Sequence, residues 1–201
     1  MSITEWFALA SVCFLGAASP GPSLFVILRA SVHGGRGLGI VTGIAHALAV
    51  GIYATGAVVV LSGVLAIAPA ALVAVQVLGV AWLLKLAWGL WRAQAGAMDM
   101  SNTASIRDGF LIAFLNPKML AFFLALFSPF VTEGGSLQRH LILVATPAVI
   151  DGVWYSFAAV VLSAASLRGA LLARAVMLNR LMALVLGVIA LMISYQLVRA
   201  G

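Results

Sequence analysis

Residues 4–28 read TEWFALASVCFLGAASPGPSLFVIL, an apolar stretch long enough to cross a bilayer but cut by Ser19-Pro20-Gly21-Pro22. Proline removes a backbone donor and clashes with the carbonyl one turn earlier. The glycine between the two prolines is the most permissive residue the chain can place there. In lipid, each freed backbone group needs a partner within the protein or a polar cavity. The stretch is therefore expected to form a broken membrane helix. A second X-Pro step, Asn116-Pro117-Lys118, interrupts another apolar block at 109–131.

The composition around these breaks fixes the environment. Of 201 residues, 64% are hydrophobic and 8% charged, against about 45–50% and about 25% in ordinary soluble domains. A soluble globule of this size cannot hide so much apolar surface, and the same numbers exclude a disordered chain. Six apolar blocks follow one another, at about 4–28, 38–61, 70–91, 109–131, 140–163 and 178–198. Six helices of about 20 residues use roughly 120 positions, leaving room for short connections. The longest polar connection is 92–107, with Asp99, Ser101, Asn102 and Thr103.

The expected fold is an all-α integral membrane protein with six transmembrane helices in one transmembrane domain. Each broken helix opens a group of three spans, and three is odd. Two like-folded halves must then lie in opposite orientations, as in the inverted repeats of many secondary transporters. Repeat one covers residues 1–92, the connection 92–107, and repeat two 108–201.

The net charge of +6 does not point to nucleic acid, because the basic residues are scattered between apolar blocks with no basic stripe. They report orientation instead. Arg29, Arg36, Arg92, Arg107, Arg168, Arg174 and Arg180 fall on one side of the six spans, and Arg139 and Arg199 on the other. That bias places both termini outside the cytoplasm. Glu5, with no basic residue near it, is unlike the basic start of a cleaved signal, so the first apolar segment is expected to be retained. Cys13 is the single cysteine; it can form no internal disulfide and reads as a small buried hydrophobe.

Four groups of residues carry chemistry. The breaks themselves, Ser19, Pro20, Gly21 and Pro22 with Asn116, Pro117 and Lys118, are expected to bind substrate through freed backbone groups, an amide and a cation. Lys118 and Asp151 both fall near the bilayer midplane, where each costs about 2.5–3.5 kcal/mol, so both are expected to point inward and interact. Asp151 is read as a proton-exchanging acid, and Lys118 as a receiver of carboxylate. His46, eight residues into its span, is a weaker candidate for proton coupling. Finally, Gly35, Gly39, Gly43, Ala47 and Gly51 put a small residue every four positions, a stripe that lets another helix approach closely, within the chain or in a homodimer. No spacing of His, Cys, Asp or Glu suggests a metal centre, and no cofactor is expected.

Ser19-Pro20-Gly21-Pro22, Gly34-Gly35-Arg36-Gly37, Asp108-Gly109-Phe110-Leu111 leading into Asn116-Pro117-Lys118, and Asp151 followed by Trp154-Tyr155 together resemble the LysE/RhtB (lysine exporter) translocators over essentially the whole chain. The resemblance implies export of amino acids or their derivatives across a bacterial inner membrane, driven by an ion gradient, by a transporter and not an enzyme. Many relatives carry an acid early in the second helix. Here that region reads Gly43-Ile44-Ala45-His46-Ala47, which favours neutral over cationic amino acids. Two other functions fit the composition: a small-ion or metal exporter on the same scaffold, and a non-transporting membrane assembly factor.

Overall fold

The computed structural model describes residues 1–93, 104–131, 135–161, 164, 167, 169–170 and 173–200, with the backbone alone at 69, 70, 72, 117, 118, 120, 196 and 200. Arg168 and most of the polar connection, 94–103, lie outside the described residues. Seven α-helices are present among those described: α1 (Ile3–Ala18), α2 (Pro22–Ile67), α3 (Pro69–Arg92), α4 (Ile106–Phe114), α5 (Pro117–Phe127), α6 (Leu137–Val161) and α7 (Ala175–Ala200).

The two proline steps break the chain where the sequence places them. α1 stops at Ala18, Ser19 turns extended (φ −62°, ψ 123°), and Pro22 begins α2. α4 stops at Phe114, and Pro117 begins α5. Both α1 and α4 start with the same device. Ser2 and Glu5 form a capping box, as do Ser105 and Asp108, each serine accepting from the backbone three residues on while the acid accepts from the serine's backbone N–H. The box satisfies two orphan donors of the first turn.

The span count departs from expectation. Four described helices are long and apolar enough to cross a membrane: Pro22–Ile67, Val73–Arg92, Leu137–Val161 and Ala175–Arg199. α1, with 16 residues, and α4 and α5, with 9 and 11, are each too short to span about 30 Å of hydrocarbon at about 1.5 Å per residue. The breaks divide two of the six apolar blocks.

A second departure concerns the join between the first and second blocks. No loop separates them, and α2 runs through Arg29 and Arg36 as 46 residues bent at Gly35 (φ 84°, ψ 163°). A side chain on Gly35 would meet nothing within 4 Å, so it is the left-handed backbone, not space, that calls for glycine. The bend leaves a short first arm, 22–34, and a long second arm, 36–67.

The small residues of the second arm face α6, antiparallel to it. A Cβ on Gly39 would lie 2.9 Å from that of Ala159, one on Gly43 2.9 Å from that of Tyr155, and one on Gly51 3.6 Å from that of Ala148. Gly152 of α6 returns the contact against Ala47. Burial from lipid gains little hydrophobic energy, so close van der Waals approach of this kind holds membrane helices together. From Gly39 to Gly51 the stripe thus lies in an internal seam, while Gly35 at its start serves the bend.

The first arm is enclosed on two sides. Leu24, Ile27 and Leu28, each 0% exposed, form a cluster with Tyr155, Ala158 and Ala159 of α6. Val26 and Ala30 pack on Ala104, with Ile112 beside them. Ser31 Oγ donates to the Ala159 carbonyl at 2.5 Å. At the other end of the bundle, Trp6 Nε1 donates to Thr146 Oγ1 at 3.1 Å and Glu5 sits 3.9 Å from Arg139, which joins the start of α1 to the start of α6.

Each break is braced by a polar side chain. Ser19 Oγ donates to Asn179 Oδ1 of α7 at 2.8 Å. Tyr53 of α2 donates from its hydroxyl to the Phe114 carbonyl, at the end of α4, at 2.5 Å. Tyr53→Phe is therefore expected to strip that carbonyl of its donor and lower stability by about 1–3 kcal/mol, read as a fall in melting temperature of the detergent-solubilised protein.

Candidate functional site

A cavity of about 900 Å³ opens where the two breaks approach each other. Ser19, Gly21 and Pro22 line it from the first break and Asn116 from the second, while α2 contributes His46 and α6 contributes Asp151 and Tyr155. Pro20 completes the first break without reaching the lining. Pro117 begins α5, and its side chain and that of Lys118 lie outside the described residues.

Asp151 finds its partner in His46. The imidazole Nδ1 lies 2.7 Å from Asp151 Oδ2, with His46 3% and Asp151 7% exposed. Such a pair, removed from water, holds only when its geometry is good and its remaining valences are satisfied. One valence is open: His46 Nε2 is buried and has no hydrogen-bond partner. The ring is held in place by Tyr155, whose ring meets it edge-on at 4.8 Å and 75°. Tyr155 is itself fixed by the approach of Gly43 and by the Leu24 cluster. The expected interaction of Asp151 with Lys118 falls on a side chain outside the described residues; the described residue in contact with the acid is His46.

From this pair the cavity runs to Arg29 on the first arm of α2 and to Asp108 in the first turn of α4. Asp108 is committed to its capping box, with Oδ2 2.8 Å from both the backbone nitrogen and the hydroxyl of Ser105. The backbone N–H of Ser105, and then its hydroxyl, hold the Asp108 carboxyl below the usual carboxylate value. Since the folded value is lowered, this contribution is complete above the ordinary carboxylate range and is lost as pH falls through the lowered value. Asp108 is therefore an anion at any physiological pH.

Sequence reasoning assigned Arg29 only to orientation and Cys13 only to packing, and both line the cavity. For Asp108 the signal was available in the Ser-x-x-acid spacing ahead of an apolar run. For Arg29 no local pattern distinguishes a cavity-facing arginine from one in a loop, because that depends on where Gly35 bends the helix.

The chain matches the family of LysE type translocators over residues 14–197. It belongs to that family. The match spans both breaks, the His46–Asp151 pair and the cavity lining except Cys13, so the cavity lies in the body of a membrane translocator. The chain is also similar to an Escherichia coli (strain K12) protein described as the uncharacterized membrane protein YahN, 24% identical over 186 residues that cover 89% of this chain and 83% of that one. No solved structure matches the translocator's chain.

Proposed function

We infer that this translocator is a secondary exporter of amino acids or their derivatives, working by proton antiport across a bacterial inner membrane. The observation that carries the reading is the cavity, in which two helix breaks meet a buried His–Asp pair. Backbone groups freed at 19–22 and at 115–116, with Asn116 and Lys118, would hold the substrate.

The proton step follows from the pair itself. His46 Nε2, buried and unpartnered, accepts a proton from one side of the membrane. The resulting imidazolium is stabilised by the Asp151 carboxylate, and Nε2 releases the proton when the cavity faces the other side. Histidine suits this because one ring nitrogen can take up and return a proton while the other keeps its hydrogen bond to the carboxylate.

Six crossings in two inverted halves, 1–92 and 108–201, remain the best account of the path, with α1 and the first arm of α2 answering to α4 and α5. The matching capping boxes at Ser2 and Ser105 support it. So do the meeting of the starts of α1 and α6 at one end and the approach of Arg180 on α7 to Trp91 near the end of α3, 5.7 Å from its ring. In this orientation both termini face away from the cytoplasm, and Arg29, Arg36, Arg92, Arg107, Arg174 and Arg180 face it.

Purified protein in liposomes, loaded in turn with each of the twenty L-amino acids and given an inward proton gradient, tests the reading. Efflux of one or more, abolished by a protonophore, is expected. Retention of all twenty would overturn it.

A further inference from the structure

The cavity holds one cation whose environment orientation alone does not explain. Arg29 projects from an arm whose neighbouring residues, Leu28 and Ala30, are fully buried. Its side chain lines the cavity, and its Nε is shielded from water with no hydrogen-bond partner. Among the described residues it forms no ion pair. Asp108, on the same stretch of lining, feels its field but has its Oδ2 engaged by Ser105. A guanidinium that serves only to orient a membrane helix snorkels into water or headgroups. Shielding part of it without an acceptor carries a penalty that a ligand can remove.

On the reading of this protein as an amino-acid exporter, we propose that Arg29 selects substrates by their carboxylate at the Asp108 end of the cavity. A carboxylate offers two coplanar acceptors that match the guanidinium fork, including the donor left unpaired at Nε. Asp108 stands on the same lining as a fixed anion, so an anionic ligand without a balancing positive group is disfavoured there. A zwitterion, carrying an ammonium beside its carboxylate, satisfies both. The site therefore takes amino acids with a free α-carboxylate and rejects both amines and simple carboxylic acids.

The test uses wild-type protein, Arg29→Gln and Arg29→Lys in liposomes, with the twenty L-amino acids and their α-amides as probes. Wild type is expected to move at least one amino acid and to discriminate against its amide. Arg29→Gln is expected to raise KM for that amino acid about 10- to 100-fold, with the amide's KM little changed, so that discrimination collapses. Arg29→Lys keeps the charge without the fork and is expected to fall between the two. Should Arg29→Gln fail to fold, an Arg29→Lys protein with wild-type KM and discrimination would overturn the proposal. Equal transport of acids and amides by wild type, or unchanged discrimination in Arg29→Gln, overturns the Arg29 assignment alone. No amino-acid transport by wild type overturns the exporter reading and this assignment with it.

Discussion

Asp151→Asn is expected to reduce proton-driven efflux at least about tenfold while leaving the protein folded. The asparagine carbonyl oxygen occupies the place of Oδ2 and still accepts from His46 Nδ1, now 2.7 Å from the carboxylate, so the α2–α6 contact survives. What disappears is the anion. Without it, an imidazolium formed at His46 would be a buried, uncompensated charge, and removing one partner of a buried pair typically costs about 3–5 kcal/mol. Protonation of His46 is then suppressed and the gradient has nothing to act on. Efflux from proteoliposomes under an imposed pH gradient, set beside the melting temperature, separates the two effects. Undiminished proton-driven efflux in the variant would remove Asp151 from the coupling step.

Gly109→Val is expected to be the most disruptive single change to the fold. Gly109 lies in α4 directly against Thr42 of α2, where an added Cβ would meet the Thr42 backbone carbonyl oxygen inside contact distance and its Cγ2 at 2.5 Å. Backbone cannot rotate away as a long side chain would. Overpacking costs about 1–3 kcal/mol even where side chains can adjust, and here α4 must lift from α2. Asp108 and its capping box move with it, as does the cavity wall at Leu111 and Ile112. Size-exclusion profiles in detergent should show loss of the monodisperse species, and Gly109→Ala should show a smaller loss in the same direction. A normal profile for Gly109→Val would mean that α4 is not held at this distance.

Membrane character and the positions of both breaks were legible because they rest on composition and on proline, whose effects are local. The division of the first and fourth apolar blocks into shorter helices follows from the same residues. The bend at Gly35 was not legible as such. The stretch Gly34-Gly35-Arg36-Gly37 offers three glycines, and only the observed φ of 84° at Gly35 tells which one turns the chain. The cavity was half legible. Asp151 and the break residues were marked by cost and by chain interruption, and His46 by its depth. Their pairing across 105 positions of sequence depends on the register of two helices, and that register is set by where Gly39, Gly43 and Gly51 allow α6 to approach. A spacing pattern reveals the stripe but not the residues that fill it.

The first arm of α2 has a consequence for how the protein is made. Its 13 positions, 22–34, amount to about 20 Å of helix, too little to cross a bilayer, and the surfaces that cover it come from Ala104, Ile112, Tyr155, Ala158 and Ala159. A ribosome finishes those residues long after the arm has left the exit tunnel. Until they arrive, the arm, with Arg29 on it, has Leu38 and Ile40 of its own helix beside it but not its cover from α4 and α6, and its loose end after Ser19 lacks the brace that Asn179 later supplies. The first arm therefore gains its full cover only once synthesis has passed the middle of α6, and its brace only with Asn179 of α7. Premature termination anywhere before that point should leave a product that cells recognise as unassembled and degrade.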